Sequence, residues 1–119
     1  MSVDRDPRAV LESYYEHVDA GDTEALLELF ADDIRYERPG QSDIEGIEEL
    51  REFYERDRPL DDGTHEVDLM VVDDGHVAVR GRFSGVQSGD DVTFGFADHH
   101  EFDDGLIVNR WTYTDRDTV

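Results

Sequence analysis

The chain has 119 residues, no cysteine and a formal net charge of −21, with 32 acidic side chains against 11 basic ones, all arginine. That length supports one hydrophobic core over residues 1–119 without covalent staples, and the missing cysteines exclude a disulfide framework, a thiol nucleophile or a cysteine metal site. The charge argues against nucleic acid as a partner. No apolar run nears the ~20 residues of a membrane-spanning helix, and Met1–Val10 does not read as a signal peptide, so a cytoplasmic location is expected.

Asp6-Pro7 reads as a helix cap followed by proline in the first turn, with Val10, Leu11, Tyr14, Tyr15 and Val18 on one face and Gly21 as the stop. Asp22 caps a second helix that carries Leu26, Leu29 and Phe30 and is broken by Asp32-Asp33. Ile34–Tyr36 reads as a short strand before Pro39-Gly40. A third helix runs roughly from Glu45 to Arg58, with Ile47, Leu50 and Tyr54 on its apolar face. From Gly63 the period becomes two. Val67, Leu69 and Val71 form one strand, and Val77, Val79 and Phe83 a second after the Asp74-Gly75 turn. Val92, Phe94 and Phe96 mark a third long strand after Ser88–Asp91, and Ile107–Thr114 a last one after Asp104-Gly105. Three helices followed by long antiparallel strands predict an α+β fold, with helices closing over one face of a curled sheet.

The charge has three readings. Disorder conflicts with a hydrophobic fraction of 37% that falls at regular spacings. A cationic partner conflicts with acids scattered along the whole chain rather than gathered in blocks. Adaptation to concentrated salt fits best. At multimolar salt the Debye length is ~3 Å or less, which screens the self-repulsion of such a surface. Lysine-poor, acid-rich composition of this kind resembles that of proteins from extreme halophiles.

Order and spacing also resemble a known superfamily. The stretch YYEHVDAGDTEALLELFADDIRYERPG, a short helix ending Phe53-Tyr54, and strands ending FADHHEFDDGLIVNRWTYTD are similar to the nuclear transport factor 2-like group. Its members include ketosteroid isomerases, SnoaL-like polyketide cyclases and scytalone dehydratase. The resemblance spans about residues 8 to 115 and implies a cone: a bent mixed or antiparallel sheet wrapped around about three N-terminal helices, with a deep pocket inside. It also implies a homodimer through the outer sheet face. Laid on ketosteroid isomerases, the oxyanion tyrosine falls on Tyr14, the protonated aspartate on Asp98 and the helix-three tyrosine on Tyr54. The catalytic base falls on Arg38, which cannot deprotonate, so steroid isomerisation by that route is not expected.

Asp98 alternates with Phe94, Phe96 and His100, the face that the resemblance turns inward. There it is either a functional acid with a pKa raised by desolvation or, one residue out of register, a solvated aspartate. Tyr14 is a core tyrosine whose hydroxyl Asp98 would partner. Arg38 and Arg110 are read either as internal ion pairs with Asp98 or Glu37, or as a clamp for a carboxylate. His100 is expected at the pocket mouth as a base titrating near neutrality, with His17 as a further wall residue. His65 and His76 are expected in water. His99 and His100 point to opposite faces and cannot share an ion, and the three Asp-Asp-Gly units are turns, so no metal is expected. Neither is a cofactor, since nucleotide-binding glycine motifs and lysine are missing. The expected function is a pocket for a small, partly apolar and acidic molecule, with ligand contacts from Arg38, Tyr54, Phe83, Phe94, Phe96 and Arg110. Tyr14, Asp98 and His100 would supply cofactor-free acid–base chemistry. The competing expectation is a non-catalytic binding module using the outer face with Trp111.

The charge generates the first prediction. Lowering salt from molar concentration to ~0.1 M lengthens the Debye length to ~10 Å and should lower the melting temperature. A melting temperature that does not change with potassium chloride concentration contradicts the salt-adaptation reading.

Overall fold

A computed structural model of the protein describes residues 6–38, 42–57, 60–87 and 89–115. Helix α1 spans Pro7–Ala20. The Asp6 side chain accepts from the Arg8 N–H at 3.2 Å to open it, and Gly21, at φ 73°, closes it in the left-handed conformation that glycine adopts without cost. Its buried face carries Val10, Leu11, Tyr14 and Tyr15, as the spacing predicts.

Helix α2 is shorter than expected, Thr23–Leu27. Phe30 is not part of it but opens strand β1, Phe30–Glu37, and Asp32 and Asp33 lie exposed within that strand. The reason is tertiary. β1 runs parallel to the last strand, Phe30 pairs with Ile107, and the Ile107 N–H donates to the Leu29 carbonyl at 3.0 Å. A register shift between Phe30 and Arg35 absorbs the acidic residues, so Phe30 and Ile34 are both buried.

The third helix is also revised. Ile44–Glu45 forms a short strand, β2, antiparallel to β1. Gly46, at φ 90°, donates to the Ile34 carbonyl at 2.7 Å and starts α3, Ile47–Glu52. The helix then widens into a π-helical turn at Phe53–Asp57. Arg58, the expected end, lies outside the described residues.

Strands β3 (Leu60–Asp73), β4 (His76–Gln87), β5 (Asp90–Asp103) and β6 (Leu106–Thr114) complete the sheet. Asp74-Gly75 and Asp104-Gly105 have positive φ at both residues, the hairpin geometry that Asp-Gly predicts. Asp61-Asp62-Gly63 is not a turn. It lies inside β3, at a register shift between Asp61 and Thr64. A second shift, between Val67 and Leu69, reverses which side chains face inward. Met70 and Val72 pack on the core, and Val67, Leu69 and Val71 are 40%, 48% and 50% exposed.

The sheet order is β2-β1-β6-β5-β4-β3, mixed and not closed. The helices pack on one face, α1 against β3 and β4, α3 against β1 and β2. Between the layers Leu11, Leu26, Ile34, Leu50 and Ile107 are fully buried. Among the described residues no helix is long and apolar enough to cross a membrane.

Two glycines allow the sheet to close down over its aromatic side chains. A Cβ on Gly63 would lie 2.1 Å from the Phe83 ring, and one on Gly81 would lie 2.2 Å from the Glu66 carbonyl oxygen and 2.9 Å from the Phe96 ring. The Glu66 contact is backbone and cannot swing away. Gly81→Ala should therefore destabilise the protein by roughly 1–3 kcal/mol, measured by urea unfolding in high salt. An unchanged midpoint would show that β3 does not press on β4 this closely.

Candidate functional site

Strand alternation on β5 turns Phe94, Phe96, Asp98 and His100 inward, and all four are buried. On β6 the inward residues are Ile107, Arg110 and Thr112. Ile107 and Arg110 are three apart, which strict alternation forbids. The register explains this. Glu101 pairs with Asn109 and Phe102 with Ile107, so Val108 is an extra residue in the ladder. The bulge turns Arg110 toward Asp98, and the Arg110 Nη2 to Asp98 Oδ2 distance is 2.9 Å.

A hydroxyl network surrounds that pair. Tyr15 donates to Asp98 Oδ2 at 2.6 Å and Thr112 to Asp98 Oδ1 at 2.7 Å. Having spent its one hydrogen there, Thr112 accepts from Tyr36 at 2.8 Å. Arg110 Nη1 donates to the hydroxyls of Tyr14 and Tyr54, which lie 2.6 Å apart. The guanidinium carbon also sits 4.2 Å from the Tyr14 ring centre and 4.7 Å from that of Tyr36. The expected Tyr14–Asp98 bond is thus corrected. Asp98 takes its hydroxyl from Tyr15, one residue on, while Tyr14 faces Tyr54 and Arg110. The ion pair expected for Asp98 is made with Arg110, and the Arg38 guanidinium instead stacks 4.0 Å from the Phe53 ring centre.

The electrostatics correct two further expectations. Burial pushes the Asp98 carboxyl up, but the Arg110 guanidinium, His100 and the two hydroxyls outweigh it, and its pKa falls below the ordinary value. Burial pushes Arg110 down, and Asp98 and the surrounding tyrosines carry it well above the usual arginine value. The pair is therefore ionised, and Asp98 is not a protonated donor. His100 is fully buried and is not part of the pocket lining. Burial and then Arg110 lower it to about 3, so it is a neutral imidazole. Its Nδ1 donates to the Val77 carbonyl at 3.2 Å, and its Nε2 is sealed without a partner among the described residues. It is not a base at the pocket mouth. Desolvation raises Tyr14 and Tyr15 well above the phenol value and Tyr36 to about 12, so all three remain hydroxyl donors.

A cavity of about 40 Å³ lies against this network. Tyr14, Tyr36, Asp98, Arg110 and Thr112 supply its polar lining, Phe83, Phe94 and Phe96 an apolar wall from β4 and β5. Arg38, Phe53 and Tyr54 line it as well. The π-helical turn presents the consecutive residues Phe53 and Tyr54 to one space. The volume holds a water or two and is well short of the ~150 Å³ that accommodates benzene. His17 lines a surface groove with Ser13 and Ala25 and is no wall of this cavity.

One lining residue was expected elsewhere. His65, read as solvated, is a cavity residue whose side chain is 10% exposed. Its ring packs edge-on against Phe83 at 4.9 Å and Phe96 at 5.3 Å. Its Nδ1 lies 2.6 Å from Asp19 Oδ1, and its backbone N–H donates to Asp19 Oδ2 at 3.0 Å. The inward phase of β3 at Gly63 and His65 precedes the second register shift, so the apolar residues Val67–Val71 gave no guide to it.

A family model described as the SnoaL-like domain matches residues 11–110. Among solved structures, an NTF2-like protein of unknown function from Burkholderia pseudomallei k96243 superposes with a TM-score of 0.83 at 18% identity, over 91% of this chain and 89% of that one. An LEH-like epoxide hydrolase of M. tuberculosis gives 0.79 at 20% identity, over 90% and 80%. A putative polyketide cyclase from Streptomyces antibioticus gives 0.77 at 23% identity, over 93% of each. These likenesses establish the NTF2-like cone fold.

The buried imidazole sets an acid limit. The unfolded chain protonates His100 near the ordinary value of 6.5, the folded chain only near about 3. Between those values the unfolded state holds more protons, so stability falls as pH is lowered through that window. Asp98 adds to the loss below its ordinary 3.8, because its folded pKa is the lower one. His100→Gln should escape the first effect. Its stability relative to wild type should improve as pH falls, by roughly 3 kcal/mol between about pH 7 and pH 4. A difference independent of pH in urea titrations would contradict a buried neutral His100.

Proposed function

The chain belongs to the SnoaL-like domain family, and on that premise we propose that its interior pocket receives the oxygen-bearing end of a small, partly apolar molecule and holds negative charge on that oxygen. The observation that carries this reading is the relay from Arg110 to the Tyr14 and Tyr54 hydroxyls, 2.6 Å apart, with Tyr54 half-buried on the cavity. Arg110 cannot lose its proton and so can only donate. Both hydroxyls accept from Arg110 and one of them donates to the other, so one hydroxyl hydrogen of the pair is left over; with Tyr14 as the donor, it is the Tyr54 hydrogen that meets a ligand. Donors held in place by a buried cation are the arrangement that stabilises an enolate, carboxylate or alkoxide. Asp98 serves here by anchoring Arg110 rather than by exchanging a proton. Arg38 supplies a second positive charge at the cavity.

Chemistry without a cofactor fits such a pocket: isomerisation, aldol cyclisation, dehydration or epoxide opening all develop charge on oxygen. The cyclase and epoxide hydrolase named among the structural neighbours support that range without selecting within it. Steroid isomerisation with a carboxylate base at position 38 is not part of the proposal, since Arg38 stands there. A second reading is favoured by the volume of about 40 Å³. In it the cavity is only packing space, and the outer face, with Trp111 and Tyr113, meets a second copy of the chain.

Titration with 4-nitrophenol separates the two. The bound phenolate is read from its visible absorbance. Wild type should bind its phenolate oxygen, with the ring left at the mouth of a cavity too small to enclose it, and Tyr54→Phe should weaken binding roughly tenfold or more, the loss of one hydrogen bond to a charged oxygen. No binding by folded wild type overturns the pocket reading in favour of the second.

A further inference from the structure

We propose that His65, held by Asp19, is the proton acceptor of the interior pocket. The inference rests on the pocket reading above and adds a base to it.

Elimination among the described lining residues comes first. Arg38 and Arg110 have no proton to exchange. Tyr14 and Tyr36 remain protonated donors committed to their partners. Asp98 already accepts from Tyr15, Thr112 and Arg110 and is a weak base beside a cation. Tyr54 ends the donor relay. His65 is the lining residue left with basic chemistry.

Geometry then gives that residue the form of a base. Both Asp19 oxygens are spent on His65, one on the ring Nδ1 and one on the backbone N–H. A carboxylate accepts only, so in the neutral ring the proton sits on Nδ1 and the lone pair on Nε2. Phe83 and Phe96 fix the ring plane with edge-on contacts. Nε2 makes no hydrogen bond among the described residues and is not among their sealed, unpartnered atoms. His65 also borders a surface groove beside Arg8, Glu12 and Tyr15, so its ring stands between that groove and the cavity; a purely structural tie between the end of α1 and β3 would account for Nδ1 and the backbone N–H and leave the accessible Nε2 unused. Asp19 touches no ligand and acts by positioning: it sets the tautomer and stabilises the imidazolium once formed.

The probe is 5-nitrobenzisoxazole. His65 Nε2 takes the proton from the ring C–H, the freed electron pair completes the nitrile, and the N–O bond breaks. The electrons leave on a phenolate oxygen, the charge that the tyrosine pole is proposed to hold. Wild type should produce the coloured phenolate faster than the same concentration of free imidazole. His65→Gln should lower kcat by roughly 100-fold or more. Asp19→Asn, at a side chain 25% exposed and outside the core, should lower kcat by about tenfold with KM unchanged. It should also remove the Nδ1–H signature of His65 in ring nitrogen magnetic resonance, while its 4-nitrophenolate affinity stays at the wild-type value. If nitrophenolate binds but elimination is absent, or is untouched by His65→Gln, the base assignment falls and the pocket reading stands. If nitrophenolate does not bind, both fall. Loss of KM rather than kcat in Asp19→Asn marks a structural tie and also overturns the assignment.

Discussion

The interior is organised around one buried ion pair, Arg110 with Asp98, each 3% exposed. Removing two charges from water costs several kcal/mol apiece, and their attraction repays that only when the remaining donors and acceptors are also met. Here three donors converge on the carboxylate, and the guanidinium is enclosed by two hydroxyls and two aromatic faces, with its Nε the one nitrogen left without a partner among the described residues. Four tyrosines from α1, β1 and the π-helical turn are committed to that enclosure. Tyr14 and Tyr15 are adjacent on α1 and serve the two ends of the pair separately, their rings edge-on at 4.9 Å. Helix and sheet are thus locked together by polar contacts at the point where a less demanding core would use aliphatic packing.

Backbone irregularity makes that pairing available. Without the extra residue at Val108, the alternation that buries Ile107 would turn Arg110 outward and leave Asp98 as an unpaired internal charge. The shifts in β3 do similar work at the other edge: the first carries Gly63 over Phe83, the second separates the inward His65 from the inward Met70. The cone is thus shaped by where the ladder is broken as much as by where it is regular.

That accounts for what the residue pattern disclosed and what it did not. Alternation from Phe94 to His100 read the inner face of β5 correctly, and Asp6-Pro7 and the two Asp-Gly turns carry local geometry in their own chemistry. The order of three helices and then long antiparallel strands was visible from the residue periods, while a mixed sheet entered only as one of the forms the resemblance implies. Bulges have no residue signature here, so the phase of β3 beyond Val67 was hidden and so was the extra residue at Val108, although Arg110 was rightly read as facing the pocket and Trp111 as facing outward. The capture of Phe30 by β6 was hidden too, because a partner 77 positions away decides it. The site suffered most from this. Asp98 was located but its charge state was misjudged, since the compensating Arg110 could be read as a clamp or a partner. His65 was overlooked because its partner, Asp19, looked like one more surface acid in a chain with 32 of them.

The same excess of acid bears on the pocket. A net charge of −21 repels an anionic ligand at long range, while Arg38 and Arg110 attract it only at short range. In dilute buffer the first effect extends ~10 Å and opposes entry. In molar salt it shrinks to ~3 Å, while contacts inside a water-poor cavity are screened far less. On the reading proposed above, anion capture is therefore favoured in the same concentrated salt that the composition is read as suited to. On that reading the acidic shell and a pocket that carries Arg38 beside the Arg110–Asp98 pair become compatible in one solvent, and selectivity rests on the few groups that line the cavity.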